Sequence, residues 1–432
     1  MIRRPRGATV GAASRARVRI DGIAAGGDGV ARHEGLVVFV PRTVPGDLVE
    51  VELVRQKRLA RGTVLRVLEP SPDRVEPPCA HYVHDRCGGC QLQELDVAAQ
   101  RREKGRIVRD ALERLARLPV GEVPVHASPA PFRYRNALTL ALRRDRLRPG
   151  GWLAGLHVLG RPDEVFALVD CPITQEAIVA TWRAVLDAGE HFPRAYELRG
   201  TVRALGDDAG MALHLEGGAR WHESAVQSLA AAVPALAAIW WTPTDGGRTL
   251  RLDRRGVATT PGASFAQVND AVAQVMREHV LAMVRAAAPA RVVDAYAGAG
   301  AYAVPLAADG LAVTAIELDP DASEATAAAF RAARAPGARA LHGRVEAMLP
   351  SALPADVVIV NPPRAGVAEA VAEQLAAARP RRLVYVSCDP ATLARDLARL
   401  GGGWRVADVR AFDMFPQTAH VETVCTLDRE DG

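Results

Sequence analysis

VVDAYAGAGAY, residues 292–302, carries Asp294 at a strand end and sets Gly298 and Gly300 in the turn before a helix. Glycine in such a turn lets the backbone come close to a ligand, and the N-terminus of the following helix favours negative charge. Working outward, a helix over 269–286 precedes the strand RVVDAY, and the helix YAVPLAADG follows the turn. Strand VTAIEL, helix 321–334, strand DVVIVN, helix 367–378 and strand RLVYVSC come next. Strands alternating with helices in this way predict a parallel, doubly wound α/β sheet. Ligands of such sheets bind outside the carboxyl ends of the strands. Glu317 ends the strand VTAIEL, 23 residues beyond Asp294, where a carboxylate can accept both hydroxyls of a ribose.

The spacing D-x-Y-x-G-x-G departs from the dinucleotide pattern G-x-G-x-x-G and points to S-adenosylmethionine instead. Asn361-Pro362-Pro363-Arg364 follows the strand DVVIVN. Two consecutive prolines have fixed φ and no amide donor, so this loop is stiff and holds Asn361 at the pocket rim. The strand RLVYVS runs into Cys388-Asp389-Pro390 and then the helix ATLARDLARL. A lone cysteine is usually an inert buried thiol. A cysteine at this sheet edge, just before a helix N-terminus, is expected instead to have a lowered pKa and to act as a nucleophile. The C-terminal strand AHVETVCTL offers a carboxylate, Glu422, as a partner base, and Cys425 further along it reads as core.

The chain has 432 residues, enough for two or three domains, and a formal net charge of only +4. The charge is uneven: Arg3, Arg4, Arg6, Arg15, Arg17 and Arg19 crowd the N-terminus, with no acidic residue before Asp21. A solvated tail and an RNA-contacting arm both fit that run. No apolar stretch approaches the roughly 18–20 residues of a membrane span, and no apolar segment of signal-peptide type follows the basic start. A cytoplasmic protein without membrane partners is expected. Three of the six cysteines (Cys79, Cys87 and Cys90) fall within twelve positions, while Cys171, Cys388 and Cys425 are scattered. In a chain this long that clustering suggests a metal or cluster site in a reducing compartment, not a disulfide framework.

Short Val- and Leu-rich runs between about Arg15 and Glu69, punctuated by GGDG at 26–29 and Pro45-Gly46, suggest four to five strands of a small closed barrel of oligonucleotide-binding type. Arg55, Lys57, Arg58 and Arg61 between its last strands would either track a phosphate backbone or decorate a solvated hairpin. EPSPDRVEPP, 69–78, reads as a linker with four prolines in ten positions. The cysteine cluster and a strongly helical stretch, 94–118, follow. Residues 125–260 read as a mixed α+β region, with strands NALTLALR, LAGLHVL, VFALVD and MALHLE and helical patches near 173–188 and 223–233.

These motifs together resemble the bacterial RNA uridine-5-methyltransferases, most closely the 23S ribosomal RNA branch that carries an N-terminal TRAM domain. GGDGVARHEGLVVFVPRTVPGDLVEVEL resembles TRAM, PPC…CGGCQLQ resembles an iron–sulfur segment, and SFAQVN, DAYAGAG, NPPRAG, VSCDPATLARD and HVETV resemble the catalytic motifs. The resemblance implies four parts: a basic tail (1–12), a TRAM barrel (13–70), an iron–sulfur segment with a central α+β domain (71–265) and a Rossmann-like class I methyltransferase domain (266–432). In this division helix 94–118 is free to pack on the catalytic domain. Gln267, Tyr296, Gly298, Gly300, Glu317 and Asn361 would bind S-adenosylmethionine. Cys388 would be the nucleophile and Glu422 the base. Cys79, Cys87, Cys90 and Cys171 would hold a [4Fe-4S] cluster, with structural zinc on the same ligands as the alternative. Three positions depart from the family pattern: the Cys79–Cys87 gap is two residues longer, Asn361 stands for Asp, and Asp389 stands for Asn.

The implied reaction is methyl transfer to carbon 5 of a specific uridine in 23S ribosomal RNA by a monomeric enzyme. Carbon 5 is too weak a nucleophile unaided. A thiolate adding at carbon 6 activates it, and a base then removes the carbon 5 proton so that the thiolate can leave. Transfer RNA as substrate is the nearest alternative. A radical S-adenosylmethionine enzyme is the alternative of another class, although its three-cysteine pattern C-x3-C-x2-C is absent here.

Overall fold

The computed structural model describes residues 14–206, 209–254, 256 and 267–430. The basic residues before Ser14, and Ser264 to Ala266 of the SFAQVN motif, lie outside them. Three sheets organise the described residues.

The first sheet has six strands between Ser14 and Glu69, not four to five. Val49, Val51 and Leu53 point into its core, alternating with half-buried or exposed Glu50 and Glu52, as the period of two demands. The strand Ser14–Arg19 lies against Gly29–His33, curling the sheet, although no ladder closes the two. The Pro-rich stretch after it is not a free linker. Arg74 pairs with fully buried Asp47 at 2.7 Å, and Asp47 also accepts from the Ser71 amide at 2.8 Å. Arg74 forms a further bridge to Leu95.

The second sheet has seven strands between Ala137 and Asp253, covered by helices Glu176–Asp187 and Glu223–Ala232. The cysteine segment docks on its strand Trp152–Val158: the Gly88 amide donates to His157 O at 3.1 Å, and Cys87 bridges Val158.

The third sheet positions the candidate site. Its order is Arg339–His342, Ala312–Glu317, Arg291–Ala295, Val357–Val360, Arg382–Ser387, Glu422–Arg429, Trp404–Phe412 and Val125–His126. The first five strands are parallel, as the alternating pattern predicts. All four residues of Val357–Val360 are buried, which suits a central strand covered on both faces. The C-terminal part, for which the alternating pattern gives no direction, is antiparallel. There the chain returns through Trp404–Phe412, and Glu422–Arg429 slots in antiparallel to both neighbours. Direction matters here, because an antiparallel strand begins at the edge where its parallel neighbours end. Thr423 therefore pairs with Ser387, and Glu422 starts its strand beside the residue that precedes Cys388.

Helix Val97–Leu115 packs on helix Pro390–Arg399, and Val125–His126 forms the outer strand of this third sheet. Residues far upstream of the catalytic region thus complete its sheet.

Candidate active site

The Gly-rich turn is built around two acids, one fully buried and one half-buried. Asp294 is fully buried; its Oδ2 accepts from the Ala303 amide at 3.0 Å, and its Oδ1 has no partner. Burial, with the charge of Glu317 adding to it, pushes Asp294 up to about 7. Glu317 Oε2 accepts from the Gly298 amide at 2.8 Å and its Oε1 from the Asp319 amide at 2.8 Å, so the carboxylate is fixed at the strand end. Gly298 and Gly300 have φ of 57° and 82°, and Tyr296 takes φ 66° despite its side chain, a conformation that costs a non-glycine residue energy. Gln267 presents a buried Oε1 without a partner, while its carbonyl accepts from Asn136 at 3.1 Å. Asn361 is tied back by its amide to Ala295 O at 3.3 Å. Two orphaned acceptors, at Asp294 and Gln267, suit a ligand that brings its own donors. The amino acid and ribose ends of S-adenosylmethionine do so.

Cys388 and Glu422 lie within reach of each other's charge, with Arg364 acting on both. Glu422 is 3% exposed, and burial pushes its carboxyl up to about 7 against the pull of Arg364. Tyr302, also buried, senses both Asp294 and Glu422, so the Gly-rich turn and the Cys388 edge form one neighbourhood. The thiol overturns one expectation. Burial raises the Cys388 pKa, the Glu422 charge adds to the rise, and Arg364 only offsets it. The helix N-terminus that was expected to lower it is taken by Asp389, whose side chain caps the Thr392 amide at 2.9 Å. The residue beside the thiol is an acid, and it uses the helix end itself.

The NPPR loop is anchored to the Cys388 helix through Asp396, which is 1% exposed. Asp396 Oδ2 accepts from Tyr385 Oη at 2.7 Å and from the Val367 amide at 2.9 Å, while Oδ1 takes Arg395 at 2.8 Å. The sequence alone gives Arg364 no role and does not single out Asp396 or Tyr302. The apolar spacing of RLVYVS and ATLARDLARL places an aspartate on the buried helix face, and that is the signal by which Asp396 could have been found.

Cys79, Cys87, Cys90 and Cys171 are all buried and free of disulfides. Burial raises Cys87 to about 11 and Cys90 to about 12, and the thiols act on one another's charge. Among the described residues no three His, Cys, Asp or Glu side chains converge on a position for a single metal ion. Cys425 is fully buried in the core of the third sheet.

The family described as tRNA (Uracil-5-)-methyltransferase matches residues 338–430, which include Arg364, Cys388 and Glu422, and the TRAM domain matches residues 13–65. An uncharacterized RNA methyltransferase of Gloeobacter violaceus is 36% identical, over 95% of this chain and 96% of that protein. The 23S rRNA (uracil(1939)-C(5))-methyltransferase RlmD of Pectobacterium atrosepticum is 30% identical, over 94% of this chain and 92% of its own. The chain belongs to the RNA uracil-5-methyltransferase family.

As a member of that family it is an S-adenosylmethionine-dependent enzyme with an N-terminal TRAM domain. Its fold matches the Pyrococcus abyssi tRNA (uracil-54, C5)-methyltransferase, solved with S-adenosyl-L-homocysteine, at a TM-score of 0.69 and 22% identity. That likeness covers 95% of this chain and 99% of the archaeal one. The Gly-rich turn and the Cys388 edge are neighbours at one end of the third sheet. No helix among the described residues is long and apolar enough to cross a membrane.

Proposed function

We propose that this uracil-5-methyltransferase acts on a uridine of 23S ribosomal RNA through a covalent bond between Cys388 and carbon 6 of the base. The observation that carries the mechanism is Glu422: a buried carboxyl held near neutrality beside a strand-end thiol, with one arginine acting on both. A general base works best when its pKa lies near the working pH. The Cys388 proton leaves to solvent, and the thiolate adds to carbon 6. Arg364 steadies the negative charge as it passes from sulfur to the ring. Carbon 5 then takes the methyl group from the sulfonium, and S-adenosylhomocysteine is left. Ionised Glu422 removes the carbon 5 proton, the carbon–sulfur bond breaks, and the thiolate returns. Gln267, Tyr296, Gly298, Gly300, Glu317 and Asn361 hold the methyl donor, with Glu317 on the ribose and the orphaned Gln267 and Asp294 oxygens receiving donors.

Separating nucleophile from base tests this. Cys388→Ala should form no RNA adduct. Glu422→Gln, which keeps the shape of the side chain, should stall with methylated RNA attached and give a slow band on a denaturing gel. Normal turnover by Glu422→Gln would remove it as the base. The choice of ribosomal over transfer RNA rests on the full-length similarity to the 23S enzyme. Mass spectrometry of both RNAs from a deletion strain should show 5-methyluridine lost from 23S RNA, and loss from transfer RNA alone would reverse the choice.

The same reading assigns a [4Fe-4S] cluster to Cys79, Cys87, Cys90 and Cys171. All four are buried and free of disulfides, and burial raises the thiols of Cys87, Cys90 and Cys171. Such a cluster would brace the segment structurally, since four cysteine ligands leave no iron open. Anaerobically purified protein should contain iron and sulfide and absorb broadly in the visible, and Cys171→Ser should lose both. Zinc in place of iron would overturn the assignment.

A further inference from the structure

Nine residues, Asp413–Val421, lead from the strand Trp404–Phe412 to Glu422, and all but Phe415 and His420 are buried. Loops usually run over the surface because buried backbone needs partners. Here the partners come from about 300 residues upstream. Gln417 sits at φ 69°, a strained setting for a side-chain-bearing residue. Its carbonyl accepts from the Gln91 and Leu92 amides at 3.2 and 3.0 Å. Its amide donates to Gln100 Oε1 at 2.9 Å, and Gln100 Nε2 donates back to Gln417 Oε1 at 3.0 Å. The same Gln100 nitrogen also donates to Leu92 O at 2.9 Å and Leu95 O at 2.8 Å, so one amide ties the cysteine segment to the loop. Gln91 Oε1 accepts from the Ala419 amide at 3.4 Å. One helical turn on, fully buried Lys104 donates to Asp413 at 2.5 Å and to Phe415 O at 3.0 Å. Tyr134 Oη completes the set by donating to Pro416 O at 3.0 Å.

We propose that the segment Gly88–Lys104 is the device that sets the position of Glu422, with Gln91 and Gln100 as positioning residues for proton abstraction. The proposal rests on Glu422 being the base. Positions 100 and 104 share one helix face, so a single helix grips the loop at two points four residues apart. A buried polar network selects one arrangement of the backbone it holds, and of the side chains in this one only Asp413 has a buried atom, Oδ2, without a partner. A catalytic group displaced by about 1 Å loses on the order of a hundredfold in rate. Cys90 immediately precedes Gln91, so the cysteine segment and the grip on the loop are continuous.

The nucleophile is positioned by a different element, the strand Arg382–Ser387, and this makes the proposal selective. Loosening the loop should slow release of product and leave adduct formation alone. Gln100→Leu removes both sides of the amide pair but leaves buried groups unpaired. Gln91→Ala, at a half-buried site, is the milder variant that keeps the test informative if the first does not fold. In single-turnover assays with RNA and labelled S-adenosylmethionine, both should form the methylated adduct at the wild-type rate and release it roughly tenfold or more slowly. Amide hydrogen exchange at Gln417 and Ala419 should speed up in parallel. A variant that merely lowers the folded fraction would reduce amplitude and leave both rates intact. Unchanged release, or attack and release slowed equally, would overturn the proposal. Glu422→Gln run alongside separates the two readings. If it releases product normally, the base assignment falls, and the exchange measurement still decides whether Gln91 and Gln100 fix the loop.

Discussion

Glu422 is 3% exposed, and burial pushes its carboxyl up to about 7, so folding disfavours its charged form. The folded pKa lies above the ordinary glutamate value of 4.5, so the stability this group contributes is complete below about 4.5 and is lost as pH rises through about 7. Holding the carboxyl that far above its ordinary value costs the charged form about 2–4 kcal/mol. Glu422→Gln has no charge to desolvate and should therefore raise the urea midpoint at pH 8 while leaving it unchanged at pH 4.5. Equal midpoints at pH 8 would mean that Glu422 is better solvated than its burial indicates. Both residues proposed here as nucleophile and base can be singled out in the sequence, because a cysteine ending a parallel strand and a carboxylate in an apolar strand are conspicuous. The surroundings of the thiol were not legible. Whether a helix N-terminus serves the sulfur or its own cap depends on where the Asp389 side chain turns.

The loop and helix around Asp396 show how elements hold the site. Gly366 has φ 80°, and a methyl group there would run into Asp396, Arg395 and Thr392. Gly366→Ala should thus lose about 1–3 kcal/mol of stability, through backbone strain and through the broken seat of the Val367 amide on Asp396. It should also cut the rate of adduct formation, since the loop carries Arg364. A wild-type attack rate in Gly366→Ala would show that the loop tolerates the shift. Elements with long apolar runs, such as Val357–Val360 and Arg382–Ser387, can be read directly. Glu197–Ala204 cannot, because ELRGTVRA buries alternate residues while exposing Glu197 and Arg199, and it reads as polar. Val345–Ala352 is likewise hidden, since Pro350 inside it argues against a helix.

At the scale of the molecule, the first sheet brings the exposed Lys57 and Arg58 on one turn, beside Arg55 and Arg61, which face Glu34 and Asp28. If that turn follows RNA phosphates, Lys57→Ala with Arg58→Ala should weaken RNA binding and reduce the slope of log affinity against log salt by about 1–2. S-adenosylmethionine affinity should stay unchanged, and an unaltered salt slope would place the RNA elsewhere. Point substitutions are the proper test, because the first sheet is not separable. Ile23 packs with Leu92, Ile107 and Ala419, and Arg42 donates to the carbonyls of Tyr82 and Cys87. The order of the parts along the chain was legible from composition and turn signals. Their interlocking was not, since contacts such as Gln100 with Gln417 join positions 317 residues apart and leave no local trace.

The antiparallel strand Glu422–Arg429 lies between Arg382–Ser387 and Trp404–Phe412, which are both made before it. On the ribosome the nascent chain therefore carries a sheet with a gap until this strand emerges, and the two strands flanking that gap expose unpaired edges. On the mechanism proposed above, a message cut short before the Glu422 codon would yield a protein with the nucleophile but without the base that frees its RNA. Such a product should fold poorly and be removed by proteolysis. The late strand would thus withhold a self-trapping methylase until that base has been made.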